Sequence, residues 1–106
     1  MPIRRRKSLD RDAILRSLRE NQALLDRYSV VRIGLFGSYA NGKPKRKSDI
    51  DLLVAFDDPT YDNFLGLSRA LERLFGRKVE IITPEGLDSI RVRSISESIR
   101  QSLTYA

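Results

Sequence analysis

RIGLFGSYANGKPKRKSDIDLLVAF, residues 32–56, is the stretch from which the fold and the chemistry of this chain can be predicted. It contains two apolar runs separated by a polar loop. The first run ends at Gly37-Ser38, and the second begins at Asp49 and Asp51. Side chains alternate between the two faces of a strand, so both aspartates are expected on one face, while the isoleucine between them starts the opposite, apolar face. Two carboxylates are therefore predicted to project side by side from the start of a strand.

The aspartate pair is expected to attract a divalent cation. Side chains two residues apart on a strand lie about 7 Å from each other. At an effective dielectric constant near 20, two carboxylates at that distance repel each other by about 2 kcal/mol. A cation removes this cost. Hard oxygen ligands on a rigid strand suit Mg²⁺, which keeps several waters and completes its shell with substrate phosphates.

Gly37 and Ser38 are candidates for contacts to phosphate. A glycine after a strand lets backbone N–H groups approach a ligand closely, and a serine at a helix start can cap the helix while offering its hydroxyl to a phosphate. The alternative interpretation makes the pair an ordinary turn and Asp49 a charge that protects an edge strand. The joint spacing favours the functional interpretation, because it places an anion site and a metal pair on adjacent segments.

The pattern of Gly37-Ser38, ten further residues and Asp49-x-Asp51 resembles the signature of the minimal nucleotidyltransferases, in the DNA polymerase beta superfamily. The similarity extends over residues 30–82. Several of these small proteins are similar to antitoxins that are paired with HEPN-domain ribonuclease toxins, and some of them transfer AMP to a toxin tyrosine. The resemblance therefore implies a nucleotidyltransferase with a HEPN-like toxin as its protein partner.

Glu80 is the third candidate for the acidic site. Residues 77–82 are predicted to form a strand in which Val79 and Ile81 share one face and Glu80 lies on the other. A lone carboxylate in an apolar strand is costly if buried, unless a charge or a metal meets it. In the resembling family an acid, more commonly aspartate, faces the Asp-x-Asp pair from this strand. The resemblance implies that Glu80 takes that role, and an exposed edge position is the alternative.

The resemblance also implies a mechanism. Asp49 and Asp51 would hold two Mg²⁺ ions, or Mn²⁺, that bridge the triphosphate of ATP, while Gly37 and Ser38 contact its outer phosphates. Glu80 would complete the metal that activates an acceptor hydroxyl, or act as its base. AMP as the transferred group and tyrosine as the acceptor rest on the resemblance alone. Since no second domain that could bind a small acceptor fits in this chain, a partner protein is the expected acceptor.

Composition excludes several classes of site. The chain has 106 residues and is expected to form one domain, residues 1–106. It contains no cysteine and no histidine, which excludes disulfides, Cys/His zinc sites and catalytic triads that use histidine. No apolar run reaches about 18 residues and the N-terminus lacks the apolar core of a signal peptide, so we expect a cytoplasmic protein that does not engage a membrane.

Positive charge is concentrated in two segments. The formal net charge is +6, and residues 4–7 are all basic, so residues 1–7 are expected to form a flexible basic N-terminus. The second basic segment lies between the Gly-Ser pair and the aspartates, and consists of Lys43, Lys45, Arg46 and Lys47. Such charge could steer a triphosphate or an acidic partner. An alternative function follows, in which the chain is a non-catalytic binding module that neutralises a partner protein or contacts nucleic acid through these segments.

The remaining sequence predicts an α+β domain. Hydrophobic periodicity and turn residues predict a helix over 9–28, a strand over 30–36, a helical turn at 38–41, a strand over 49–56, a helix over 61–75, a strand over 77–82, a turn at 83–86 and a final helix carrying Val92, Ile95, Ile99 and Leu103. This order, α-β-α-β-α-β-α, predicts a two-layer nucleotidyltransferase fold with a small three-stranded mixed sheet. The three acids are expected on the open face of that sheet.

Overall fold

The structure, a computed structural model, describes residues 9–45 and 48–106. Within these ranges the chain forms six helices and four strands. In chain order they are α1 (Arg11–Glu20), α2 (Gln22–Arg27), β1 (Val30–Phe36), α3 (Gly37–Ala40), β2 (Ile50–Phe56), α4 (Tyr61–Phe75), β3 (Val79–Ile82), α5 (Pro84–Asp88), α6 (Arg93–Ser102) and β4 (Thr104–Tyr105). The basic residues 4–7, and Arg46 and Lys47 of the loop, lie outside the described residues. The other two loop lysines, Lys43 and Lys45, are exposed.

The strands form one mixed sheet in the order β3-β2-β1-β4. Strand β1 pairs antiparallel with β2 and with β4, whereas β2 and β3 run parallel. The mixed sheet was predicted, but the expected count of three strands is corrected to four. The fourth strand has only two residues, which pair with Gly34 and Leu35. Two residues are too few for an alternating pattern to reveal a strand.

The predicted N-terminal helix is divided into two. Helix α1 ends at Glu20, and α2 starts again at Gln22. Between them Asn21 leaves helical geometry, with φ −111° and ψ 41°. Its side-chain amide donates a hydrogen bond to the carbonyl of Ser17 at 2.7 Å. Asparagine competes for backbone groups in this way, which explains why the helix predicted over 9–28 is interrupted at Asn21.

One face of the sheet packs into the hydrophobic core. Strand β2 contributes Ile50, Leu52 and Val54, which are all fully buried, as the alternation of the sequence predicted. Helices α1 and α4 cover this face, and their fully buried side chains are Ile14, Leu18, Leu67 and Leu71. Each such burial contributes about 1.5–3 kcal/mol. A shift of one residue in β2 would expose its core side chains and bury its aspartate, so the core fixes the register of the acidic residue.

The C-terminal part has one short helix more than was predicted, and its last helix is only partly covered. Residues 83–86, predicted as a turn, enter the short helix α5, in which the Thr83 side chain accepts a hydrogen bond from the Gly86 amide at 3.1 Å. Helix α6 forms where it was expected, but its apolar stripe is covered only toward its C-terminal end, where Ile99 and Leu103 are partly buried. Val92 remains 53% exposed and Ile95 51% exposed. Periodicity therefore predicted the helix, but it does not indicate how much of the stripe is covered.

The opposite face of the sheet is only partly covered. Helices α5 and α6 pack against β2 and β1 on this side. Leu103 and Tyr105 lie directly over Gly34, where a Cβ would be 2.8 and 2.9 Å from them. Beyond this cover, toward the start of β2, the face is open. Within the described residues, no helix has both the length and the apolar character needed to cross a membrane.

Candidate active site

Three residues on neighbouring strands form a row at the open end of the sheet. Phe36 at the end of β1 pairs with Asp51 of β2, and Asp51 pairs with Glu80 of β3. Paired residues of adjacent strands project their side chains to the same face. The three residues line an open cleft of about 370 Å³, together with Ile81 and Ile82. The structure therefore places the predicted third acid beside the Asp-x-Asp pair, on a parallel strand.

Asp49 lies one residue before β2, at the end of the basic loop. The loop is closed by Lys45 and Ser48, because the Lys45 amide donates to the Ser48 hydroxyl at 2.7 Å and the Ser48 amide donates to the Lys45 carbonyl at 3.1 Å. Both aspartates are partly buried, whereas Glu80 is exposed. The exposed position that we considered as the alternative for Glu80 is thus the observed one, and its carboxylate faces solvent at the edge of the cleft.

Gly37 packs directly against the Asp51 carboxylate. Its backbone has φ +79°, in the left-handed region that favours glycine. A Cβ added at this position would collide with Oδ2 of Asp51. Two independent constraints therefore require glycine here: the backbone conformation at the start of α3, and the space needed by the carboxylate. The Gly-Ser pair and the Asp-x-Asp pair meet, as their spacing predicted.

The amide of Gly37 is engaged by a residue that the sequence analysis missed. It donates a hydrogen bond to Oγ of Ser102, at the end of α6, at 3.1 Å. The Ser102 hydroxyl in turn donates to the carbonyl of Ile99 at 3.2 Å. Ser102 is 65 residues from Gly37 in sequence, so no local motif signals the contact.

Ser38 does not cap a helix, contrary to the prediction. The residue that precedes α3 is Phe36, and α3 has no side-chain cap. Ser38 is the second residue of the helix, and its carbonyl accepts a hydrogen bond from the Lys43 amide at 2.9 Å. Within residues 9–45 and 48–106, its hydroxyl has no hydrogen-bond partner and is only partly buried. The hydroxyl can therefore donate to a ligand.

Negative charge accumulates around Asp51. Burial, then the nearby carboxylates of Glu80 and Asp49, raise the pKa of Asp51 to about 6. Among the described residues no salt bridge engages any of these three acids. The site thus favours a proton or a cation at Asp51, because either one neutralises the carboxylate that burial and the neighbouring acids destabilise.

The donor set fits a hard divalent cation only in part. In the described portion of the chain, no group of three or more acidic side chains is placed so that it could hold a metal ion together. A preassembled three-acid cage is therefore not what these residues form. Magnesium commonly uses one or two carboxylates and takes its other ligands from water and substrate phosphates. The chemistry of Asp49 and Asp51 fits that arrangement.

Residues 16–104 of the chain match the family model described as a nucleotidyltransferase domain. The chain belongs to this family. The matched range contains Gly37, Asp51 and Glu80, and also Ser102. The resemblance inferred from the motif is thereby confirmed, and the protein is an enzyme of the nucleotidyltransferase class.

Two relatives are similar to this nucleotidyltransferase over most of its length. A protein of Methanocaldococcus jannaschii, provisionally named as a protein adenylyltransferase, is 40% identical over 92 residues, which make up 83% of this chain and 89% of the relative. The protein adenylyltransferase MntA of Thermococcus cleftensis is 35% identical over 83 residues, 77% of this chain and 80% of the relative. Both relatives carry the name of an enzyme that adenylylates proteins.

Two solved structures share the fold of this nucleotidyltransferase. One, provisionally described as a minimal nucleotidyltransferase, has a TM-score of 0.70 at 29% identity and covers 93% of this chain and 98% of its own. The other is a chain in the complex of a tri-AMPylated Shewanella oneidensis HEPN toxin with an MNT antitoxin. It has a TM-score of 0.54 at 21% identity and covers 84% of this chain and 69% of its own. The predicted α+β minimal nucleotidyltransferase fold is confirmed.

Proposed function

We propose that this nucleotidyltransferase transfers AMP from ATP to a tyrosine hydroxyl of a HEPN-type toxin, and that it acts as the antitoxin of that toxin. The observation that carries the proposal is the contact of Gly37 with Asp51 beside Glu80, on the open face of the sheet. The names of the relatives support AMP as the transferred group and a protein as the acceptor. The complex that contains an AMPylated HEPN toxin supports the choice of partner.

In this proposal Asp49, Asp51 and Glu80 are the metal ligands, with two Mg²⁺ ions as the expected occupants. When bound, Mg²⁺ supplies charge neutralisation for the triphosphate and lowers the pKa of a coordinated hydroxyl. Because Asp51 has a pKa of about 6 without metal, it is mostly ionised at neutral pH and can serve as a ligand there. The missing ligands would come from the nucleotide and water, since the described residues provide no closed cage.

The chain's own groups have distinct tasks in the proposed transfer. Gly37 leaves room for the Asp51 carboxylate, and Ser38 offers a hydroxyl to the outer phosphates. The acceptor oxygen forms a bond to the α-phosphorus, the bond from that phosphorus to the bridging oxygen of the β-phosphate breaks, and pyrophosphate leaves. Glu80, exposed at the edge of the cleft, is positioned to receive the hydroxyl proton. Most of the acceleration would come from positioning and charge stabilisation.

An open cleft suits a macromolecular acceptor. Phe36, Asp51 and Glu80 lie along a shallow opening, without a lid among the described residues. A folded partner can therefore bring a side chain to the acids from outside and exclude water itself. Attachment of AMP adds a phosphodiester charge and a bulky base, which would block an RNA-binding site on a ribonuclease by repulsion and steric exclusion.

Calorimetric titration of ATP into the protein tests the proposed site. Binding is expected with Mg²⁺ or Mn²⁺ and should be lost in EDTA. The double variant Asp49→Asn/Asp51→Asn should lose the metal-dependent part of the affinity. Equal binding with and without metal, or an unchanged double variant, would contradict the proposed roles of the two aspartates and would leave a non-catalytic binding module as the better interpretation.

A further inference from the structure

We infer that Ser102 is a positioning residue of the nucleotide site: it holds the Gly37 amide, so that the hydroxyl of Ser38, and not the N–H of Gly37, is the group of this turn that donates to phosphate. The inference rests on the proposed function, because it assigns donors for the same nucleotide. It assigns a role in the site to α6, the helix that ends at Ser102, and it narrows the role of Gly37 to providing space.

The directions of the two hydrogen bonds of Ser102 show that the Gly37 amide is already engaged. A serine hydroxyl has one proton and two lone pairs. The proton of Ser102 is donated to the Ile99 carbonyl at 3.2 Å, so toward Gly37 the oxygen acts as an acceptor, at 3.1 Å from the amide nitrogen. The Ser102 hydroxyl thus acts as a donor to one partner and as an acceptor from the other. The Gly37 amide is thus already satisfied within the protein, and a phosphate oxygen would have to replace Ser102 to reach it.

The position of Ser102 is fixed from the other side. Its carbonyl accepts a hydrogen bond from the Thr104 hydroxyl at 3.3 Å. Thr104 begins β4, which pairs with β1 at Gly34 and Leu35, close to the end of the strand that leads into the Gly-Ser turn. The C-terminal segment is thus bound to β1 at Gly34 and at Leu35. This pairing holds the Ser102 oxygen where the Gly37 amide needs an acceptor.

Protein groups surround Gly37 on two sides. Its amide faces Ser102, while the side on which a Cβ would stand faces Oδ2 of Asp51. Both directions are therefore taken by protein groups. The next residue, Ser38, has a hydroxyl with no hydrogen-bond partner among residues 9–45 and 48–106. The Ser38 hydroxyl is consequently free to donate to a phosphate oxygen.

A pair of variants of nearly equal shape separates the hydroxyl from the volume of the side chain. Ser102→Thr keeps the hydroxyl, whereas Ser102→Val replaces it by a methyl group. With Mg²⁺ and α,β-methylene-ATP as the probe, the valine variant should bind about 3- to 10-fold more weakly than the threonine variant, which is the range of one hydrogen bond. Ser98→Ala, on an exposed position of the same helix, is the control and should bind as wild type does.

Equal weakening in Ser102→Thr and Ser102→Val would overturn the inference, since it would show that only packing matters at this position. Equal, wild-type-like binding in both variants would overturn it too. If Asp49→Asn/Asp51→Asn also binds normally, the proposed function itself has failed. If that double variant loses binding while both Ser102 variants keep it, the proposed function stands and the role of Ser102 is rejected.

Amide hydrogen exchange of Gly37 gives a readout that needs no nucleotide. In the folded protein the Gly37 amide should be protected, and Ser102→Val should remove that protection while amides of the central strands keep theirs. On addition of Mg²⁺ and α,β-methylene-ATP, the NMR signals of Ser38 should shift more than the amide signal of Gly37. A Gly37 amide that exchanges freely in the absence of nucleotide would show that Ser102 does not hold it, and a Gly37 amide signal that shifts most on binding would show that this amide is the phosphate donor.

Discussion

The α-carbon of Gly37 lies so close to the Asp51 carboxylate that any larger side chain at position 37 would overlap its Oδ2 atom. This contact joins the end of β1 to Asp51 of β2, which is paired with Glu80 of β3. It explains why a glycine stands between an apolar strand and a serine in a chain whose metal-binding candidates lie more than ten residues away. The contact also makes the geometry of the site sensitive to a single methyl group.

Gly37→Ala should lower both stability and metal-dependent nucleotide binding. Alanine at φ +79° is strained, and strain of this kind costs about 1–3 kcal/mol. The added methyl must also displace the Asp51 carboxylate. Urea unfolding would measure the first effect, and calorimetric titration of ATP with Mg²⁺ the second.

Gly42→Ala is the matched control for this variant. Gly42 has nearly the same conformation, φ +74°, but a Cβ there meets nothing within 4 Å. The control should lose a similar amount of stability through strain and keep its nucleotide affinity. If Gly37→Ala and Gly42→Ala bind ATP equally well, the contact with Asp51 does not shape the site.

Asp51→Asn should stabilise the metal-free protein at neutral pH and not at low pH. Burial, Glu80 and Asp49 raise the pKa of Asp51 from its ordinary value of 3.8 to about 6. Because the folded-state pKa lies above the unfolded one, folding favours the protonated carboxyl. Its contribution to stability is complete below about pH 4 and is lost as the pH rises through about 6.

The rise in pKa corresponds to about 3 kcal/mol before screening, and to about 1 kcal/mol once the partial exposure of the carboxylate is considered. Urea unfolding of Asp51→Asn and wild type in EDTA, from pH 4 to pH 8, measures the difference. The two curves should converge near pH 4 and separate by pH 7, with the variant more stable. A constant difference across this range would show that Asp51 titrates normally.

The sequence allowed the centre of the fold to be predicted because its signals are local. Alternation along β2 predicted which side chains are buried, and the Gly-Ser and Asp-x-Asp pairs predicted where the acidic row lies. The core confirms the first prediction, since Ile50, Leu52 and Val54 are fully buried. The alternation and the Asp-x-Asp pair concern residues a few positions apart, where strand geometry alone decides which side chains share a face.

Features that depend on distant segments were not predictable. The acceptor of the Gly37 amide, Ser102, is 65 residues away, and only the folded chain brings the two together. Strand β4 has two residues and is held by its partner rather than by its own pattern. The stripe of α6 predicted a helix, but periodicity does not state what covers it, and Val92 and Ile95 remain half exposed.

Glu80→Gln should slow AMP transfer more than it weakens ATP binding. Glu80 is exposed at the edge of the cleft, on the side from which an acceptor would approach. Loss of a general base slows a reaction by about 100-fold or more, so a decrease of this size is expected for the transfer rate. Single-turnover kinetics at saturating ATP would measure the rate, and calorimetry the affinity.

Removal of the Glu80 charge should also lower the pKa of Asp51, since a neighbouring carboxylate raises it. Glu20→Gln, at an exposed position of α1, serves as the control and should change neither rate nor pKa. An affinity for ATP that falls as much as the transfer rate in Glu80→Gln would instead place Glu80 among the nucleotide contacts.

Intact-mass spectrometry of the partner tests most directly whether this protein transfers AMP at the Asp49 and Asp51 site. The wild-type protein is incubated with ATP, Mg²⁺ and the HEPN-type toxin that we propose as its partner, and the Asp49→Asn variant replaces the wild type in a parallel reaction. We predict that the toxin gains the mass of one or more AMP units with wild type and none with Asp49→Asn, because loss of the ligand removes charge stabilisation from the transition state. An unmodified toxin in the wild-type reaction, with ATP binding confirmed, would contradict the account.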